Sequence, residues 1–131
     1  MRLEPATIVE AVVRAGKGDL GIVSSLHLVR SFSTIRASWD RQRVIAPVLS
    51  MLAKITADAT GSESVYHLTW RLLDALDSPD LGDAVDDALI RAWELKLLHV
   101  AGSTPQFAAC VRCGATDRIT SFSARDGGVI C

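Results

Sequence analysis

Cys110-Val111-Arg112-Cys113-Gly114 is the stretch on which the reading of this chain turns. Two thiolates separated by two residues can meet one tetrahedral zinc ion from a single tight turn. A glycine directly after them lets the turn fold back so that backbone N–H groups point at the sulfurs. Seventeen residues separate Cys113 from Cys131, inside the spacing window of a four-cysteine zinc ribbon. Between them, residues 119–123 read as a strand, Asp126-Gly127-Gly128 as a turn, and Val129-Ile130 as the return to Cys131. The expected metal ligands are therefore Cys110, Cys113 and Cys131. A fourth cysteine would fall three residues after Cys131, the last residue given, so the zinc site is expected to be incomplete in this chain, with nothing to pin Cys131. A redox reading of Cys-x-x-Cys would need a βαβ pattern around it, and none is present.

Upstream, the pattern is helical. Leu81, Val85, Leu89, Ala92 and Leu95 predict the buried stripe of a helix opened by Ser78-Pro79, because proline is favoured at a first helical position. Trp93, Leu97 and Val100 widen that stripe, which predicts a central helix covered on more than one side; Gly102 ends it. A preceding helix is expected after a cap at Ser62 or Ser64, with Tyr66, Trp70, Leu73 and Leu76 on one side. Another begins near Ser33, with Ile45, Val48, Leu49, Leu52 and Ile55 at helical spacing and a kink or restart at Pro47. At the N-terminal side, residues 6–14 (ATIVEAVVR) and 20–29 (LGIVSSLHLV) are rich in β-branched residues around a loop with two glycines, a β-hairpin signal. Two strands alone are marginal in water, so this hairpin needs more sheet or a helix to lean on.

Composition excludes several classes. Hydrophobic residues make up 49% and charged residues 22%, a globular balance rather than a disordered one. A net charge of -1 lacks the basic excess of a dedicated nucleic-acid binder. The charge is uneven: residues 1–36 carry five bases and three acids, residues 37–107 six bases and ten acids. Phosphate contact is thus expected to start near the hairpin, with Arg14, Lys17, Arg41 and Arg43 as candidates. No apolar stretch has membrane-spanning length and no signal-peptide pattern opens the chain, so a cytoplasmic protein with no membrane partner is expected. Three cysteines confined to the last 22 residues fit thiols or a metal site in a reducing compartment.

Catalytic signatures are missing. There is no nucleophile elbow and no phosphate-binding loop. Asp83, Asp86 and Asp87 could hold Mg²⁺, which would make the chain a metal-dependent helical enzyme, but acids in a first helical turn favour the positive end of the helix dipole and stay solvated. His27, His67 and His99 are scattered, and His99 lies too far upstream to be more than a stray ligand. Trp39, Trp70 and Trp93 could stack bases, but on amphipathic helices tryptophan is more often core. The chain is read as non-catalytic.

Trp93-Glu94-Leu95-Lys96-Leu97-Leu98, then Gly102, Pro105, Cys110-x-x-Cys113-Gly114, Phe122-Ser123, Gly127-Gly128 and Cys131 stand in one order. That series resembles the C-terminal region of the RecO family of bacterial recombination mediators, with Trp93 where the family usually has Phe. Arg2-Leu3-Glu4-Pro5 and the hairpin resemble the last part of the family's OB-fold, and Leu28-Val29-Arg30-Ser31-Phe32 its exit into the helical domain. The resemblance implies an α+β, mainly α fold: an OB-fold hairpin remnant over 1–32, a helical domain over 33–107 and a partial four-cysteine zinc ribbon over 108–131. It implies a fragment of a DNA repair and homologous recombination mediator that, as the full-length protein, binds single- and double-stranded DNA, anneals strands, joins RecR and contacts the C-terminal tail of single-stranded-DNA-binding protein. The tail site would need an apolar groove with basic residues at its lip, for which Arg71, Arg91 and Lys96 are candidates. The competing reading is an unrelated helical protein-interaction or transcription module with a zinc ribbon.

Overall fold

The computed structural model describes residues 4–17, 20–56, 62–81 and 87–131. The chain divides into two compact units, one formed by Met1–Ala59 with Leu73–Val85 and the other by Thr60–Leu72 with Asp86–Cys131. Among the described residues the fold is mixed, with four α-helices and two separate two-stranded antiparallel sheets.

The first unit opens with the expected hairpin. Strand β1 (Thr7–Ala15) pairs with β2 (Gly21–Ser31) from Thr7↔Ser31 to Ala15↔Gly21, with register shifts at Ile8/Val9 and Val12/Val13. Only its root is covered: Ile8 is buried, whereas Val12, Val13, Ile22, Val23, Leu28 and Val29 are exposed. Such an apolar, open ribbon fits a strand pair whose faces another element is meant to cover. Gly21 packs against β1 so closely that a Cβ there would lie 2.5 Å from Val13 Cγ1.

Helices α1 (Ser33–Ala37) and α2 (Trp39–Ile55) follow. Ser38 caps α2 by accepting the Arg41 N–H. Pro47 sits inside α2, and the helix continues through it from Trp39 to Ile55 without restarting. The core of this unit is Phe32, Ile35, Ile45 and Val48 with Leu73 and Leu76 from the end of α3 (Glu63–Asp77). Two polar ties lock it. The Asp77 carboxylate accepts the N–H groups of Thr34 (2.8 Å) and Ile35 (3.1 Å), which a short helix leaves without partners. In return, Arg41 Nη1 donates to the carbonyls of Leu76 (2.6 Å) and Ser78 (2.8 Å) at the end of α3. Arg30 adds an ion pair with Asp74 at 2.7 Å and lies over the Phe32 ring.

The second unit holds the first turns of α3, helix α4 (Asp87–Val100) and strands β3 (Ser121–Ser123) and β4 (Gly128–Ile130). Ser62, one of the two expected caps, starts α3 by accepting the Val65 N–H. Gly102 ends α4 as expected: Ser103 N–H reaches Leu98 O and Gly102 N–H reaches His99 O, the paired bonds that close a helix on a residue of positive φ.

The helix faces correct the sequence pattern in three places. On α3 the buried residues are Val65, Leu72, Leu73 and Leu76, while Tyr66 is exposed and Trp70 half-buried. Tyr66 and Trp70 instead meet edge to face, centroids 5.7 Å apart. On α4 one narrow stripe is buried, Ile90, Trp93 and Leu97; Leu95 is 46% exposed, and Ala92, Leu98 and Val100 are also open. The helix is therefore covered along one side, because the buried stripe is phased on Trp93 rather than on Leu95. Pro79 starts only a single 3₁₀ turn, Pro79–Leu81, and α4 is described from Asp87. Val85, Asp83 and Asp86 lie outside the described residues.

Candidate metal centre

Backbone hydrogen bonds build the knuckle. Cys110 O accepts the Gly114 N–H at 2.8 Å, Cys110 N–H reaches Ala115 O at 2.8 Å, and Gly114 takes the positive φ (+77°) that closes the turn. The return limb is β3 and β4, paired Ser121↔Ile130, Phe122↔Val129 and Ser123↔Gly128. Gly128 also bridges Gln106. A Cβ on it would lie 2.5 Å from Gln106 O and 2.6 Å from Val111 Cγ1, so only glycine permits this approach. Arg112, between the two knuckle cysteines, donates through Nε (3.0 Å) and Nη2 (2.7 Å) to the Asp126 carboxylate. Ser123 donates to the same carboxylate and accepts the Asp126 N–H. One aspartate thus ties the knuckle to the hairpin turn.

This frame brings all three expected ligands together: the sulfurs of Cys110, Cys113 and Cys131 lie within 4.8 Å of one another. Cys113 Sγ and Cys131 Sγ are 3.6 Å apart, and Cys131 N–H donates to Cys110 Sγ at 3.4 Å. Cys131 is therefore held by its strand and by the first cysteine, contrary to the expectation that nothing pins it. Cys110 is buried; the other two are exposed. The electrostatics divide the set. Backbone N–H groups of Cys131, Arg112 and Cys113 lower the Cys110 thiol to about 6. Hydrogen bonds to Cys113 and Cys110, and their negative charge, push Cys131 up to about 11. Three sulfurs so close can all be thiolates only if a cation shares them, so the arrangement can hold a thiophilic metal ion. His99 is not among these ligands; its Nδ1 is 2.9 Å from Thr104 Oγ1.

The other candidates fall in different places. Arg14 and Lys17 lie exposed on the long hairpin, and Arg43 is exposed on α2 with Asp40 3.9 Å away. Arg41 is 3% exposed and committed to two carbonyls, which corrects its assignment as a DNA contact: its charge serves the end of α3. Arg71 and Lys96 line one groove of about 240 Å³ with Leu68, Leu72, Leu89 and Trp93. The same two bases line an adjoining hollow with His67 and His99. Arg91 is not part of either lining and is tied to Glu94 at 2.7 Å. Sequence reasoning missed two exposed aromatic features. Trp39, expected in a core, is 76% exposed at the start of α2. Phe107 and Phe122 stack in the open, centroids 5.9 Å apart. Their neighbours in sequence carried no signal of this, since exposure of an aromatic depends on which helix or strand face the fold covers.

The fold is a helical module with an open apolar hairpin and a short hairpin that carries three clustered thiols able to hold a metal ion. The chain belongs to the recombination protein O C-terminal family, whose model matches residues 36–131. It is similar to the DNA repair protein RecO of Anaeromyxobacter sp. (strain K), 33% identical over 132 residues that cover 98% of this chain and 50% of the relative. It is also similar to the DNA repair protein RecO of Desulforamulus reducens, 28% identical over 98% of this chain and 49% of the relative. A third, from Halalkalibacterium halodurans, is 26% identical over 86% of this chain and 42% of the relative. The chain spans about half the length of these curated relatives. No solved structure matches it significantly. Family membership sets aside the reading as an unrelated helical module. No helix among the described residues is long and apolar enough to cross a membrane.

Proposed function

We propose that this chain is part of a cytoplasmic mediator of recombinational DNA repair that acts by binding and scaffolding rather than by making or breaking bonds. The observation that carries the reading is similarity along nearly the whole chain to proteins named DNA repair protein RecO. In this reading the metal is zinc, held by Cys110, Cys113 and Cys131. The open hairpin over 1–32 belongs to an OB-fold barrel, whose remaining strands would cover the exposed valines and isoleucines of β1 and β2. The helical domain runs over 33–107 and the zinc ribbon over 108–131. Single- and double-stranded DNA and RecR are the partners of the whole protein, with Arg14, Lys17 and Arg43 as basic contacts and the exposed Trp39, on the same helix as Arg43, as a base-stacking candidate.

The groove supports a peptide partner. Its lining is mostly apolar, with Leu72 and Trp93 buried, and includes the exposed Arg71 and Lys96. Such a site fits an acidic segment ending in apolar side chains, as in the tail of single-stranded-DNA-binding protein. The test is strand annealing by the full-length protein with labelled complementary oligonucleotides, with no nucleotide present. Accelerated annealing is expected; no binding and no acceleration would contradict the reading. For the groove, Arg71→Glu with Lys96→Glu should abolish the calorimetric signal of the tail peptide while annealing of naked strands persists.

A further inference from the structure

The three sulfurs are not equivalent toward oxidation. Cys113 and Cys131 are exposed and their sulfurs lie 3.6 Å apart, whereas Cys110 is 3% exposed and its sulfur accepts the Cys131 N–H. A disulfide needs about 2.05 Å between sulfurs, so the exposed pair must close by roughly 1.5 Å. Cys131 follows β4 directly and Cys113 lies in the knuckle, so the two sulfurs come from separate limbs of the hairpin.

We propose that Cys113 and Cys131 form a redox-sensitive latch on this metal centre, closed by hydrogen peroxide. The sulfur of one, as thiolate, takes an oxygen from peroxide; the O–O bond breaks and hydroxide leaves. The second sulfur then attacks the first, the S–S bond forms, and the oxygen departs as a second hydroxide. Two protons, from the thiols in the metal-free chain or from the solvent when a metal already holds the thiolates, complete two waters, so one peroxide gives one disulfide and two waters. A disulfide sulfur carries no charge and is a poor ligand, so closure leaves Cys110 as the one thiolate of the three and the metal departs. Reduction by a dithiol reopens the site. Release of metal rests on the zinc reading above; the choice of sulfur pair rests on distance and exposure alone.

The sequence makes the pairing easy to read. Cleavage after Lys96, Arg112, Arg118 and Arg125 places the three cysteines in three different tryptic peptides. The experiment treats the zinc-loaded chain with equimolar hydrogen peroxide, alkylates the remaining thiols, digests it without reductant and maps the cross-links, while a chromogenic chelator follows zinc. The expected product joins the peptide beginning at Cys113 to the peptide beginning at Asp126. Cys110 is recovered alkylated, and about one zinc is released per disulfide. Cys110→Ser should leave the cross-link in place, and Cys131→Ser should abolish it. A dominant cross-link through Cys110, or over-oxidation of the exposed thiols with no cross-link, would overturn the latch. If the chain holds no zinc before peroxide is added, the zinc reading fails, and the same mapping on the metal-free chain still decides the latch.

Discussion

The molecule contains two β-hairpins that solve opposite problems. The first pairs nine residues of β1 with β2, so its backbone is well supplied with hydrogen bonds, but most of its apolar side chains face outward. The second pairs only three residues per strand, too few to hold themselves, yet its parts are cross-tied by Gly128 under Gln106, by Asp126 to Arg112 and by three sulfurs within 4.8 Å. The difference is in what each still needs. A long ribbon with open apolar faces needs more protein, because burial is what stabilises a sheet face. A short ribbon with almost no core can instead draw on a metal, since coordination supplies free energy that burial cannot and its three thiols could hold an ion.

Substitutions can break or sharpen this contrast. The largest effect is expected at the metal: Cys113→Ser should lower zinc affinity by on the order of a hundredfold or more, seen in chelator competition, with helix content unchanged by circular dichroism. Next come the packed helices. Trp93→Ala should destabilise the chain by about 3–5 kcal/mol, whereas Leu95→Ala, two residues away on the open side of α4, should stay within about 0.5 kcal/mol. Equal effects at the two positions would contradict the phase of the helix. Arg41→Ala removes a buried charge and orphans two carbonyls, so a loss of about 2–4 kcal/mol in denaturant melts is expected.

A smaller but sharper effect concerns pH. Hydrogen bonds and neighbouring thiolates hold Cys131 protonated to about 11, while N–H donors bring Cys110 down to about 6. At neutral pH, metal binding must therefore displace the Cys131 proton. Zinc affinity should rise as pH is raised from 6 to 9, and pH-independent binding over that range would show that Cys131 is not a ligand. The smallest effect is expected on the long hairpin. Val13→Ser with Ile22→Ser should leave the melting temperature nearly unchanged in a thermal melt, since both side chains are already in solvent, at 57% and 62% exposure.

The contrast also marks what could be read from sequence. The knuckle was legible residue by residue, because Cys-x-x-Cys-Gly and a two-glycine turn are local chemistry, and the structure closes the turn at Gly114 and brings the sulfurs together. The long hairpin was legible for a similar reason, as β-branched runs around a glycine loop. The helix faces were not. On α4, Leu89, Leu95 and Leu98 are as apolar as Ile90 and Leu97, so periodicity alone admits two phases, and only packing selects the one through Trp93. Arg41 was illegible for another reason. A charged residue near a helix start reads as surface, and its burial depends on carbonyls of Leu76 and Ser78, more than thirty positions away. Asp77 on the N–H groups of Thr34 and Ile35 is the same kind of long-range cap.

The most direct test of the account is amide hydrogen exchange on the chain with zinc and after its removal by a chelator. Amides of the second hairpin and its knuckle, residues 106–131, are expected to lose protection when the metal is withdrawn. The ladder between Thr7–Ala15 and Gly21–Ser31, and the buried turns around Ile45, Leu76 and Trp93, should keep theirs. Unchanged protection at 106–131 in the metal-free chain would contradict the claim that a metal on Cys110, Cys113 and Cys131 organises that hairpin.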